Sequence, residues 1–533
     1  MKIKLIFKSI GEFFQKEVNR ISFFLRRIIL GLTNKERRIL LILLALLIIL
    51  LVARFYNLLT QKSPDKPQAG GIYKEATFGD VKTLNPFFAQ SQVEKDVSSI
   101  LFLKLIDLDN QGKWHGVLLS NFKVEQNQAS LEIKKDAYWD NGDSVTADDF
   151  IFTVNLFKNV KSFSLWQQTW KDISVTKVSD KKVTLTYPDN GLAYKNLRFP
   201  LLPSRLLADK DLSKIQVFEF NIQPVGDGSF MFGSLDVQEG QRIITLKSNP
   251  KSFNKPYIDE LQFIVNYSLD QAVNTFESTS FSGLVQMPIE EIPNLKDKRI
   301  AEHPLYLPSY TALFYNLKKA PFDNLDTRTM LDMAINRDQI VLNLKYVKKT
   351  VLPLPSGIVN DTATFDPAKS KNYLQSRFAK QSFKLSYPDS YIYAQSAQQI
   401  VGQFSKVGVK VVLDPQPELT LWYNLQQGNY QMALWSETVG NDLDLSRWYS
   451  TNELNFFGFS VPEIDDKIAA AQNKDDSIVI ARLIHDQYPA SFLYTAPYIW
   501  ASRSLRGVND KQIGEESSDR FKNIAAWYLV QPK

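Results

Sequence analysis

Residues Ile39 to Ala53 are fifteen uncharged, apolar positions in a row (ILLILLALLIILLVA), and Arg54 to Leu59 (RFYNLL) prolongs the run. Fifteen residues fall short of the roughly 20 that a helix needs to cross a bilayer, but 39–59 is long enough. Arg54 lies near the end, where its side chain can snorkel to the headgroups, and Tyr56 suits the interface. A buried core helix is a poor reading, because the segment is apolar all round. A cleaved signal peptide is the other competitor. The 38-residue leader is long for that role, and no A-x-A site follows the apolar run. An uncleaved anchor is therefore the expectation.

The charge distribution gives that anchor a direction. The chain has 533 residues, with 63 Lys+Arg against 57 Asp+Glu. Residues 1–38 hold ten bases (Lys2, Lys4, Lys8, Lys16, Arg20, Arg26, Arg27, Lys35, Arg37, Arg38) and three acids (Glu12, Glu17, Glu36), so the tail is +7 and the rest is −1. Basic residues precede the span and are sparse just after it. The positive-inside rule then places the N-terminus in the cytoplasm and 60–533 outside, as a single-pass cell-membrane protein with the bilayer as a partner. A near-neutral body gives no support for a nucleic-acid face. Residues 3–32 mix apolar and basic positions, which fits an amphipathic helix on the inner leaflet or a helix packed on a cytoplasmic partner.

Composition excludes further classes. With 44% apolar and 12% aromatic residues the chain can bury a large core. It has no cysteine, hence no disulfide, thiolate nucleophile, Cys-ligated metal or lipidated Cys. His115, His303 and His485 are scattered and form no ligand cluster, so no metal or cofactor is expected. G-x-S-x-G, H-E-x-x-H and the phosphate-loop motif are all absent, and no catalytic residue is assigned.

Beyond a polar spacer from Thr60 to Gly71, with two prolines, strand-like and helix-like pieces alternate. Period-2 or β-branched runs predict strands at 130–135, 181–187, 241–247, 258–267, 383–387 and 409–413. Helical spacing predicts helices at 146–158, 327–344, 392–407, 461–472 and 477–487, with Gly408 ending the third before strand 409–413. This is an α/β pattern. Thr146 and Asp149 have capping-box spacing, so Asp148 and Asp149 read as helix N-terminal acids rather than a catalytic pair. Trp139 reads as core. Asn336 and Gln339 have capping spacing for a second helix. Arg328 and Arg337 read as ties between helices and neighbouring acids or carbonyls. Residues 224–233 (PVGDGSFMFG) form a Gly-rich turn leading into strands.

Several segments share one resemblance. KDAYWDNGDSVTADDFIFTV resembles the W-x-[DN]-G-x-[PS]-[VL]-T-A-x-D-[VF] signature of family 5 extracellular solute-binding proteins, the oligopeptide- and dipeptide-binding receptors of ABC importers. GGIYKEATFGDVKTLNPFF, FPLLPSRLL, QPVGDGSFMF and FYNLKKAPFDNLDTRTMLDMAINRDQIV resemble further family segments, in the family's order, over roughly 70–510. The resemblance implies a two-lobed periplasmic-binding-protein-like fold of type II with an extra inserted domain, after one transmembrane helix. Lobe I is expected at 71–115, 221–310 and 485–533, the extra domain at 116–220, and lobe II at 311–484. Residues 1–38 are then the cytoplasmic tail, 39–59 the span and 60–70 the linker.

The resemblance also implies a function without catalysis: capture of peptides in an interlobe cleft, and delivery to ABC permease subunits. Family members place an acid after a Trp, in W-x-x-D-Y-x-D-P, to pair with a peptide α-amine. Here Thr438 stands at the first Asp position and no Asp-Pro follows. Asp442 matches the second Asp and Asp444 is a shifted substitute; both read equally well as surface acids. Trp435 is a candidate cleft wall. Tyr494 and Tyr498 fall where the family's late aromatic contacts sit, and core packing explains them equally. Asn85 and Trp166 complete the ligand-binding candidates. The alternatives are the same cleft holding a nickel complex, haem, sugar or opine, a scaffold or sensor that uses residues 1–38, and a hydrolase with an unrecognised site.

Overall fold

The computed structural model describes residues 33–36, 38–39, 42–43, 45–47, 49–50 and 54, then 67–530 apart from 110, 189–191, 239–240, 279, 289–296, 298, 343, 472 and 512–513. The chain divides into two units, Met1–Pro67 and Gln68–Lys533. The tail up to residue 32, much of the expected span 39–59 and linker positions 60–66 lie outside the described residues. Described positions between 34 and 54 are helical, and Ile39, Ile42, Leu43, Leu46, Leu47, Ile49 and Leu50 are exposed. Among the described residues no helix is long and apolar enough to cross a membrane.

The second unit is α/β and is built on three main sheets. A seven-stranded mixed sheet runs in the order Ile300–Leu305, Tyr498–Arg503, Gly283–Leu284, Ile72–Phe78, Glu260–Asn266, Gln241–Ser248, Phe230–Gln238. Its central pair is parallel, from Ile72 opposite Glu260 to Phe78 opposite Asn266. Tyr73, Leu261, Phe263 and Trp500 bury into a large core on one face. Ala76, Leu284, Ile499 and Ala501 pack on the other face against Ala272 and Phe276 of helix Leu269–Glu277.

A four-stranded antiparallel sheet follows the order Leu119–Val124, Gln128–Ile133, Lys182–Thr186, Ser174–Ser179. Alternation decides which face is buried. Leu131, Ile133, Val183 and Leu185 enter the same large core, with Phe150 and Phe157 of helix Ala147–Asn159. The two sheets thus share one apolar interior.

A six-stranded sheet has the order Lys348–Lys349, Ala490–Thr495, Ser309–Tyr315, Met432–Thr438, Ser382–Pro388, Lys410–Gln416. Its two faces feed two separate clusters. Leu313, Leu434 and Leu385 belong to one, and Ala312, Phe314, Ala433 and Phe492 to the other. The chain passes between the six- and seven-stranded sheets at 306–308 and again at 496–497.

Each predicted strand is present within two or three residues of its expected bounds, and so are helices Ala147–Asn159, Tyr391–Lys406, Pro462–Ala470 and Lys474–Asp486. Gly408 follows the second of these at φ +82°, where a residue without Cβ is favoured. The helix expected at 327–344 is two, Leu325–Met333 and Arg337–Leu342. The break comes where Asn336 Oδ1 accepts the Gln339 N–H at 3.0 Å, so the local cap competes with helix continuation.

Candidate functional site

The expected acids lie on a stiff loop. After strand Met432–Thr438 the chain turns back: the Asp444 N–H donates to the Val439 carbonyl at 2.7 Å, and Val439 N–H to the Pro308 carbonyl at 2.9 Å. Gly440 and Leu443 adopt φ of +66° and +58°. A left-handed leucine costs on the order of 1 kcal/mol, and it persists here because Leu443 is buried in the apolar cluster. Holding Leu443 inward leaves Asp442 and Asp444 projecting outward, both exposed. Asp444 Oδ1 accepts the Ser446 N–H at 2.8 Å.

These acids form part of one wall of a cavity of about 510 Å³. That wall continues through Leu445, Ile468 and the first two turns of helix Lys474–Asp486, with Lys474, Ser477 and Ile480. The opposite wall comes from Trp114 on the short strand Trp114–Gly116, Val124 of the four-stranded sheet, and Leu192, Ala193, Tyr194 and Lys195 of the segment after that sheet. Trp114 stacks on Tyr194 at 6.4 Å, and Phe122 meets Tyr194 edge-on at 5.8 Å, which fixes the aromatic side. Lys195 Nζ donates to Asp442 Oδ2 across the gap between the walls. Burial works against the Lys195 charge, but the bond to Asp442 and the nearby Asp444 outweigh it, so its pKa is raised. Apolar floor, aromatic wall and a few placed charges are the ordinary makings of a small-molecule pocket, and the volume falls in the usual range.

Trp435 sits on the strand that leads into this loop and stacks on Trp422 at 5.4 Å. Two residues on, Glu437 is buried, and its Oε2 accepts from Arg447 Nε at 2.6 Å. Burial pushes the Glu437 carboxyl up to about 7 against the pull of Arg447. Glu437 Oε1, Arg447 Nη1 and Asn441 Nδ2 are buried with no hydrogen-bond partner.

The remaining candidates are engaged elsewhere. Tyr494 is fully buried, its hydroxyl bonded to Ser396 Oγ at 2.9 Å. Tyr498 donates its hydroxyl to the Val285 carbonyl. Asn85 is buried and donates to Asn221 Oδ1 at 2.9 Å. Trp166 stacks on Phe157 at 4.7 Å and lines a separate cavity of about 200 Å³ beside Arg198. The structure thus brings Asp442 and Asp444 together in one cavity, with Trp435 on the adjoining strand. Trp114, Tyr194, Lys195 and Lys474 were not among the sequence candidates. No motif marks them, because they join the acids only through tertiary packing. Asp148 is paired with Lys177, while Asp149 binds Ser204 and Trp139 Nε1. Arg328 donates to four backbone carbonyls, and Arg337 binds Asp332 and the Phe492 carbonyl. Among the described residues no group of three or more His, Asp or Glu is placed to hold a metal ion.

Comparison with known proteins adds the following. The family model for bacterial extracellular solute-binding proteins, family 5 (middle), matches residues 115–455. The oligopeptide-binding protein AppA of Bacillus subtilis is 27% identical over 298 residues, covering 54% of this chain and 53% of AppA. Over that alignment the chain spans about half of its relative's length. The oligopeptide-binding protein OppA of the same organism is 21% identical over 495 residues, covering 81% of this chain and 89% of OppA. Among solved structures, the ABC transporter substrate-binding protein CtaP of Listeria monocytogenes superposes with a TM-score of 0.76 at 19% identity, covering 87% of this chain and all of CtaP.

Proposed function

The chain belongs to the family 5 bacterial extracellular solute-binding proteins, and from that premise we propose that it captures short peptides outside the cytoplasm and hands them to an ABC permease. The observation that carries the reading is the 510 Å³ cavity with an aromatic pair on one wall and two carboxylates on the other. Its remaining lysine, Lys474, supplies the opposite charge for a peptide carboxylate or carbonyl. A peptide needs apolar room for side chains and both charge signs for its ends, and such sites often complete the match with bound water. Relatives named as oligopeptide-binding proteins support the ligand class.

We read the seven-stranded sheet as the heart of lobe I, the four-stranded sheet as the extra domain and the six-stranded sheet as lobe II. The strand Ala490–Thr495 pairs within the six-stranded sheet, so the late boundary is drawn at 496–497, where the chain crosses between sheets, rather than at 485. Two such crossings make a hinge, and closure about it would bury a ligand. The apolar run 39–59, with its basic leader, is the proposed anchor in place of a lipidated cysteine. Tethering holds the receptor at high effective concentration near its permease. No chemical step is assigned to the protein.

Calorimetry of the full chain in detergent micelles tests the reading. Tri- to nonapeptides should give saturable heat, weakened at least tenfold by Tyr194→Ala. Saturable binding of a nickel chelate or a sugar, with no heat from any peptide, would replace the peptide reading.

A further inference from the structure

Lys195 belongs to the short turn Tyr194–Leu197, and Asp442 to the loop after strand Met432–Thr438. Their sequence separation of 247 makes the contact purely tertiary. Both side chains are about half exposed, at 56% and 44%, so neither is locked by packing. Both line the 510 Å³ cavity. Their pair joins the aromatic wall to the acidic wall.

The other charged side chains of the cavity are disposed differently. Asp444 is turned toward the Ser446 N–H. Lys474, among the described residues, has no ion pair. The cavity therefore holds two carboxylates and two ammonium groups, and Asp442 already has an ammonium on it. A half-exposed ion pair is weak and exchanges its partner readily. An entering cation must displace Lys195 from Asp442 Oδ2 or share the carboxylate with it. A neutral group need not.

We propose that Lys195 is a tethered stand-in for a ligand cation: it occupies Asp442 in the empty protein, straps the two walls together, and removes the discrimination in favour of charged amines that a bare Asp442 would give. This deepens the peptide-binding reading and rests on it for its effect on ligands. The consequence is specific. The full-length protein should not distinguish a peptide with a free α-amine from its N-acetylated form by means of Asp442. Removing the Lys195 ammonium leaves one carboxylate of the cavity unmatched and restores that preference.

Two measurements decide it. In the ligand-free full chain, carbodiimide treatment should join Lys195 to Asp442 as an amide, seen as a cross-linked peptide by mass spectrometry and abolished by Asp442→Asn. A missing cross-link overturns the proposal, whatever peptides do. In calorimetry, the ratio of affinities for free-amine over N-acetylated peptide should rise at least tenfold in Lys195→Met, and fall back in Lys195→Met/Asp442→Asn. An unchanged ratio in Lys195→Met, or a gain that survives Asp442→Asn, also overturns it. A cross-link with no peptide bound by wild type or variant upholds the strap and overturns the peptide reading instead.

Discussion

Asp227 is buried in the turn that carries PVGDG, with one carboxylate oxygen accepting the Leu103 N–H at 2.8 Å and the other without a partner. Burial pushes its carboxyl up to about 7, and the charges of Asp140 and Asp149 add to the rise. The folded state therefore holds a proton that the unfolded chain has released above about pH 4. Folded protein binds more protons than unfolded protein between about pH 4 and pH 7, so stability falls as pH rises through that window and stays low above it. Asp227→Asn keeps the acceptor for Leu103 and removes the titration. It should raise unfolding free energy by on the order of 2–4 kcal/mol at pH 8, with the gain vanishing near pH 4, as measured by urea denaturation. Legibility at this scale follows sequence distance. Asp149 was readable as a cap because its partner Thr146 is three residues away, and its carboxylate does accept the Thr146 N–H at 2.8 Å. Its contact with the Ser204 N–H, also at 2.8 Å, has no local signature. The same holds for Tyr494, whose partner Ser396 lies 98 positions away.

Elements announced themselves where one face meets water. Lys182–Thr186 and the stretch 243–247 alternate buried positions with less buried ones, and this is the period-2 pattern legible in the sequence. The central strands Ser309–Tyr315, Met432–Thr438 and Ala490–Thr495 did not stand out, because apolar clusters cover both faces and the alternation disappears into continuous burial. The strand that presents the candidate loop was thus the kind that pattern reading misses. The Gly-rich turn at 224–233 is legible in the sequence, but its reason is tertiary. A Cβ on Gly228 would lie 2.0 Å from the Ile100 carbonyl oxygen, and one on Gly226 would lie 2.1 Å from that of Leu101. The turn presses directly against the end of helix Gln92–Leu101, and the Gly228 N–H donates to the Leu101 carbonyl at 2.9 Å. Backbone cannot yield as a side chain does, so Gly228→Ala should cost more than about 2 kcal/mol. Gly402 provides the control. It lies within helix Tyr391–Lys406, where a Cβ would have nothing within 4 Å, and Gly402→Ala should stabilise by up to about 1 kcal/mol through helix propensity. Opposite shifts of the urea midpoint in the two variants are the expected result; equal losses would mean that close approach is not what excludes a side chain at 228.

At the scale of the molecule, the candidate cavity draws its walls from residues 114–195 and 442–480, two stretches with no shared motif, so their meeting is a property of the fold alone. The leading segment is the reverse case, read from composition and charge without any packing. Its separateness has a consequence for stability. The apolar clusters of the described residues are assembled entirely from positions between Tyr73 and Leu529, and the buried ion network that ties Arg520 to Glu75 and Asp96 lies wholly within Gln68–Lys533. A unit that owns its core should fold without the segment before it. Deleting residues 1–67 removes thirteen bases and four acids and leaves a body of net charge −3. The truncated protein should keep its thermal midpoint within about 2 °C of the full chain, since a loss of 1 kcal/mol would shift a domain of this size by only a few degrees. It should also keep its affinity for peptides, and move from the membrane pellet to the soluble fraction after high-speed centrifugation. A full chain that is already soluble would remove the anchor. A midpoint lowered by more than about 5 °C would show instead that the first 67 residues contribute to the fold that holds the cavity.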